Sequence, residues 1–124
     1  HPAISDLTNL LIKTVALGDI LKENLQKASF KIDLAFIYGS YAKGTNHSNS
    51  DVDVFILSDA PMLEISWLLD SALQVAQKEI NTLSMPVTEF KKRIEQNNRF
   101  ALELLSCQKI WLIGNEDELK KLAS

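Results

Sequence analysis

The sequence predicts one mixed α/β domain of the α+β kind: a small mixed sheet of about four strands, helices packed on it, and a long N-terminal helix. Three observations predict it. Two short apolar runs, Leu34 to Tyr38 and Val52 to Leu57, are rich in strand formers and are separated by a polar loop. Stretches with apolar residues at helical spacing lie before, between and after the strand candidates. A chain of 124 residues, 46% hydrophobic and 23% charged, has the size and balance of a single domain with a real core.

Asp6 to Lys27 reads as the long first helix, with Leu7, Leu10, Leu11, Thr14, Gly18, Leu21 and Leu25 recurring at helical intervals. Ser5 or Asp6 can cap its start. Gly18 within a helix costs roughly 1 kcal/mol against alanine, which suggests close packing there. The chain opens at His1-Pro2 and not at methionine. Residues 1–30 are therefore expected to be this helix and a linker from a domain upstream, with 31–124 as the main domain. Leu34 to Tyr38 ends at a glycine, as a buried strand should. Gly39 to Ser50 holds two glycines, two asparagines and three serines and is a loop, with one helical turn near Tyr41 to Lys43.

After the Ser58-Asp59-Ala60-Pro61 turn, Met62 to Glu79 is a second amphipathic helix and Ile80 to Leu83 a third strand. Thr88 is placed to cap a charged helix running to about Gln96. Arg99 to Cys107 reads as helix, Lys109 to Ile113 as a fourth strand, and Asp117 to Ala123 as a closing helix. The order α-β-loop-β-α-β-α-α-β-α gives a mixed sheet with helices on it.

Composition excludes some functions. A formal charge of −3 provides no broad basic surface, so nucleic acid is a partner only through a domain outside this chain. The single cysteine, Cys107, forms neither an internal disulfide nor a cysteine-built zinc site; it suits a reducing cytoplasm and reads as a small buried hydrophobe. No apolar run reaches the ~18 residues that span a bilayer.

Chemistry concentrates in Ile37-Tyr38-Gly39-Ser40-Tyr41-Ala42-Lys43-Gly44, followed by Ser50-Asp51-Val52-Asp53-Val54. Residues two apart on a strand share a face, so Asp51 and Asp53 aim at one point while Val52 and Val54 turn into the core. Two adjacent carboxylates repel, and a divalent cation removes that penalty. Magnesium suits them, since it takes one or two carboxylates and completes its octahedron with water and substrate phosphates. Gly39 lets a phosphate approach the backbone amides of the turn, Ser40 adds a hydroxyl, and Lys43 offers a positive charge. Gly-Ser followed after ten residues by Asp-x-Asp arises by chance in roughly one such chain in several hundred.

At these residues the chain resembles the polymerase-beta-like nucleotidyltransferase superfamily, and its minimal nucleotidyltransferases in particular. Gly39, Ser40, Gly44, Ser50, Asp51 and Asp53 match the signature in order and spacing over Ile32 to Leu83. From Glu79 onward, Glu89-Phe90, Asn97 to Phe100 and Lys109 to Gly114 are similar to a subgroup fused behind a winged-helix DNA-binding domain. The resemblance implies that Asp51 and Asp53 hold Mg2+, with a two-metal site in reach, against a nucleoside triphosphate whose monophosphate passes to an unknown acceptor. Gly39, Ser40, Lys43, Gly44 and Ser50 would bind the nucleotide. A third carboxylate is expected on the third strand, where this chain has Asn81; an amide ligates a metal through its carbonyl but takes no proton. Glu79 and Glu89 are two substitutes in sequence for that acid.

Three functional readings stand: a magnesium-dependent nucleotidyltransferase, a nucleotide-sensing module of a DNA-binding regulator with weak turnover, and the antitoxin of a toxin–antitoxin pair. A homodimer is compatible with all three. His47 reads as a solvated loop residue and Lys91-Lys92-Arg93 as a solvated helix face. Tyr38 and Tyr41 read as core packing or loop anchors, with Tyr41 a candidate to stack on a base; Trp67 and Trp111 read as core or interface.

Overall fold

The computed structural model describes residues 17–43, 51–76 and 79–124, apart from the side chains of Tyr41 and of residues 71–76. Most of the expected first helix, together with Gly44, His47 and Ser50, lies outside the described residues. Helix α1 covers residues 17–26. It is followed by β1 (Leu34–Tyr38), α2 (Ser40–Lys43), β2 (Val52–Leu57), α3 (Met62–Ala76) and β3 (Ile80–Met85). Then come α4 (Val87–Glu95), α5 (Arg99–Ser106), β4 (Ile110–Ile113) and α6 (Glu116–Ala123).

The four strands form one mixed sheet in the order β3-β2-β1-β4. β1 runs antiparallel to both β2 and β4, and β2 runs parallel to β3. Strand alternation sorts the side chains onto two faces. Ala35, Ile37, Val52, Val54 and Ile56 pack against Leu17, Leu21 and Leu25 of α1 and Ile65 and Leu69 of α3. Leu34, Phe36, Phe55, Leu57 and Met85 pack against Phe90 of α4, Ala101 and Leu104 of α5, and Leu119 of α6. The predicted fold class and the order of the described elements therefore hold.

The differences are local. β3 runs two residues past the expected end, because Ser84 and Met85 still have Ile56 and Leu57 beside them in the ladder. Helix α4 is not capped by Thr88: Pro86 occupies the cap position, its φ of −66° setting an extended entry and its carbonyl accepting from the Phe90 N–H at 3.2 Å. Asn97, at a φ of +57°, ends α4, and Asn98 starts α5 by accepting from the Ala101 N–H at 3.0 Å. Trp67 is not core, being 65% exposed, whereas Trp111 packs on Phe36 with ring centroids 5.0 Å apart. Cys107 is half-buried, not fully so.

Candidate functional site

Three neighbouring strands bring the predicted residues to one end of the sheet. In the ladder Tyr38 lies opposite Asp53, and Asp53 opposite Asn81. Gly39 follows Tyr38 directly, at a φ of +74°. That backbone conformation favours glycine, and space demands it as well: a Cβ on Gly39 would sit 2.5 Å from Asp53 Oδ2. The glycine thus lets the turn press against the carboxylate. Ser40 opens α2, and the Lys43 N–H closes its single turn on the Gly39 carbonyl at 3.1 Å.

The two aspartates share one partner. Asn81 Nδ2 donates to Asp51 Oδ2 and to Asp53 Oδ1, each at 3.3 Å. Both carboxylates therefore converge on the same side, as period-two alternation requires, while Val52 and Val54 are fully buried behind them. The amide presents its nitrogen because two acceptor carboxylates need a donor. Asp51 is exposed and Asp53 half-buried, so the pair opens to solvent from a floor of apolar side chains.

Around this trio the sheet is aromatic. Tyr38 stands edge-on to Phe36 and to Phe100 of α5, with centroids 6.3 and 6.0 Å away. Its phenol is pushed above the usual tyrosine range, first by burial and then by the negative charges of Asp53 and Cys107. The proximity of Tyr38 to Asp53 was not read from the sequence; the antiparallel alignment of the two runs would have revealed it. Burial likewise raises the Cys107 thiol, and the charge of Glu116 adds to it, against the opposing effect of Lys109.

Three other sequence candidates lie on α2, at the start of β3 and on α4. Lys43 is exposed at the end of α2. Glu79 is exposed just before β3, where its carbonyl accepts from the Val52 N–H at 2.9 Å. Glu89 sits on α4 and pairs with Arg93 at 3.1 Å. Lys91 and Lys92 are exposed beside them.

The donor set fits a hard divalent cation in one respect and is lean in another. No group of three or more His, Cys, Asp or Glu suited to a metal occurs among the described residues. Two carboxylates joined through a single donor do occur, with the neutral Asn81 amide placing the partial positive end of its N–H dipole where they converge. Magnesium needs no more from a protein when substrate phosphates and water supply its other ligands.

A mixed sheet that sets a Gly-Ser turn against an Asp-x-Asp strand is the layout of a nucleotidyltransferase domain. The chain belongs to the nucleotidyltransferase domain family, whose model matches residues 17–111. Among curated proteins it is similar to protein adenylyltransferase MntA of Shewanella oneidensis, 27% identical over 101 residues. That match covers 81% of this chain and 66% of the relative, so the chain spans just under two thirds of the relative's length. Among solved structures it resembles a toxin–antitoxin complex with AMP-PNP, at a TM-score of 0.59 and 17% identity over 86% of this chain and 80% of that one. It also resembles the toxin–antitoxin complex MntA–HepT, at 0.53 and 12% identity over 87% and 79%. These structural likenesses bear on the fold. No described helix is long and apolar enough to cross a membrane.

Proposed function

We propose that this domain transfers a nucleoside monophosphate, adenylate by its likeness to MntA, from a nucleoside triphosphate to a hydroxyl of a protein acceptor. The observation that carries the reading is the shared Asn81 donor, which fixes Asp51 and Asp53 side by side against the Gly39 turn. Gly39 and Ser40, with Lys43, Gly44 and Ser50 in the same segment, are the residues to hold the phosphates. Asp51 and Asp53 are the residues to hold Mg2+, and Asn81 has a carbonyl oxygen to add. The metal, when bound, neutralises charge on the transferred phosphoryl group and on the leaving pyrophosphate. The acceptor oxygen bonds to the α-phosphorus as its bond to pyrophosphate breaks, and the hydroxyl proton leaves to solvent or to a base.

Asn81 cannot be that base. General-base help is typically worth 10²–10⁴-fold, so this reading expects slow turnover unless the acceptor brings its own base. The same amide supports a second reading, a module that binds nucleotide and signals with little chemistry. The finer resemblance to winged-helix fusions stands on Glu89-Phe90, Asn97 to Phe100 and Lys109 to Gly114 alone. The likeness to toxin–antitoxin complexes supports a role as an antitoxin, with its toxin as the protein acceptor.

The test is transfer of label from α-labelled ATP, with magnesium, to candidate acceptors that include the product of the adjoining gene. Asp51→Ala should cut transfer by about 100-fold or more, the scale of losing a group that stabilises transition-state charge. Label transfer that survives Asp51→Ala would move the chemistry elsewhere. Nucleotide binding without transfer, altering DNA affinity in a protein with a DNA-binding domain, would favour the sensing module.

A further inference from the structure

The two edges of the sheet are guarded differently. β4 has four residues, follows Lys109 directly, and meets β1 through a register shift between Ala35 and Phe36. Short length, a flanking charge and a bulge are common means of keeping a strand edge from pairing with another chain. β3 has none of these. Its six residues, Ile80–Met85, include no charge and no proline, and its register with β2 is unbroken. The backbone bonds fix which groups face outward. The Val52 N–H donates to the Glu79 carbonyl at 2.9 Å and the Ser58 N–H to the Met85 carbonyl at 3.0 Å. Glu79 and Met85, and by alternation Asn81 and Leu83, therefore bond inward to β2. Ile80, Thr82 and Ser84 turn their N–H and C=O groups outward, with no strand beside them among the described residues.

What flanks this edge is apolar and acidic. A groove of about 320 Å³ runs between α3 and β3, with Met62, Ser66 and Asp70 on one wall and Ile80 and Thr82 on the other. Farther round the helix, Leu63 and Trp67 stand one turn apart and are 60% and 65% exposed. Adjoining large apolar side chains left open beside polar ones are a mark of interaction surfaces. Charge here has one sign: from Asp51 to Gln77 the sequence holds five acids and no lysine or arginine. Of those acids, Asp59, Glu64 and Asp70 are exposed on α3 or just before it.

We propose that the β3 edge is a docking site for an extended, basic segment of a partner protein, which adds to the sheet as a further strand. Its backbone pairs with Ile80, Thr82 and Ser84. Its apolar side chains enter the groove beside Met62 and Trp67, and its lysines or arginines meet Asp59, Glu64 and Asp70. Charge selects this occupant over a second copy of the chain. Two copies paired through β3 would bring two acidic α3 faces to one junction, with no base in either to offset them. The proposal stands on the backbone and charge of this edge and uses none of the chemistry assigned to Asp51 and Asp53.

Fluorescence anisotropy of labelled, acetylated hexapeptides tests it. One peptide alternates valine and lysine, a second alternates valine and glutamate, and a third is the valine–lysine peptide with alternate backbone amides methylated. The first should bind about tenfold or more tightly than the others, since the second reverses the charge and the third cannot pair as a strand. Thr82→Pro removes an outward N–H at an edge position that tolerates proline, and should weaken the first peptide about tenfold at a nearly unchanged melting temperature. Should Thr82→Pro unfold the domain, the methylated peptide makes the same cut from the ligand's side. Trp67→Ala should weaken binding about fivefold. In the complex, hydrogen exchange at the Thr82 and Ser84 N–H groups should slow by about tenfold or more, while Asn81 and Leu83, already bonded to β2, change little. Equal binding of all the peptides overturns the proposal, as does binding of the first peptide that ignores a folded Thr82→Pro or leaves Thr82 and Ser84 exchange unchanged. No binding of the first peptide at about 1 mM overturns it too. So does sedimentation of the free chain as a dimer that Thr82→Pro dissociates, which assigns the edge to a second copy.

Discussion

On the side of α1 and α3, β2 presents Val52, Val54 and Ile56, all fully buried. On the side of α4 to α6 the same segment presents Asp51 and Asp53 at one end and Phe55 and Leu57 at the other. Alternation chooses the face for each residue, but coverage decides its environment. Phe90, Ala101, Leu104 and Leu119 of α4 to α6 close over the Phe55 and Leu57 half and leave the aspartate half to solvent. The proposed site and a structural end thus share one face of one strand, two residues apart.

The largest expected effect breaks or sustains that division. Phe55 is fully buried between Phe36 and Phe90, with ring centroids 5.4 and 5.3 Å away. Phe55→Ala should cost about 3–5 kcal/mol in urea unfolding. Asp53→Ala, one step up the same face, should change stability by no more than about 0.5 kcal/mol. A loss above about 2 kcal/mol for Asp53→Ala would mean that the aspartate end is part of the scaffold and not a site spared by it.

The next effect concerns a charge that the covered half buries among its apolar side chains. Lys109 has a side chain only 1% exposed, with its Nζ 5.4 Å from the centre of the Phe36 ring. It donates to the Leu105 and Cys107 carbonyls at 3.3 and 2.9 Å and to Glu116 at 2.9 Å. The two carbonyls lie at the end of α5, where helix acceptors lack partners, and Glu116 opens α6. One ammonium therefore ties α5 to α6 over the sheet. Lys109→Met keeps the apolar stem but leaves the carbonyls unmet, and should cost about 1–3 kcal/mol. Glu116 is 44% exposed and can turn to water, which keeps the loss below that of breaking a fully buried pair. Unchanged stability in that variant would show that packing alone seals the covered half.

How much of this was legible in the residues follows the same division. The limits of β1 and the helical turn after Gly39 could be read directly, because an apolar run stopping at a glycine is a local signal. So could the convergence of Asp51 and Asp53, since period two is a property of the backbone. What could not be read depends on partners distant in sequence. That Asn81 donates to both aspartates requires the parallel register of β2 and β3. The burial of Lys109 requires α5 and α6 to meet over Phe36, and a lysine carries no sign of this in its neighbours. Trp67 was read as core or interface because its helix is amphipathic, but it stands on the open side of that helix. At Pro86 a favourable capping residue two positions on, Thr88, hid the backbone reason for the helix start.

The smallest effect tests the other face. Gly18 was expected to mark close packing, and it is buried, yet a Cβ there would meet Ile110 Cγ2 at 3.9 Å, an ordinary contact. Gly39 and Gly114 differ: both have positive φ, and their added Cβ atoms would strike Asp53 and Leu34 respectively. Among the described residues neither constraint acts on Gly18, so the helix carries the backbone entropy cost of glycine with no steric need for it there. Gly18→Ala should stabilise the domain by roughly 0.5–1 kcal/mol, as alanine lowers the cost of fixing the helix. Calorimetric melting would register this as a rise of roughly 2–4 °C for a chain of this size. A fall in the melting temperature would place α1 tighter against β4 than the 3.9 Å spacing implies, and would give Gly18 the packing role that its position in a helix first suggested.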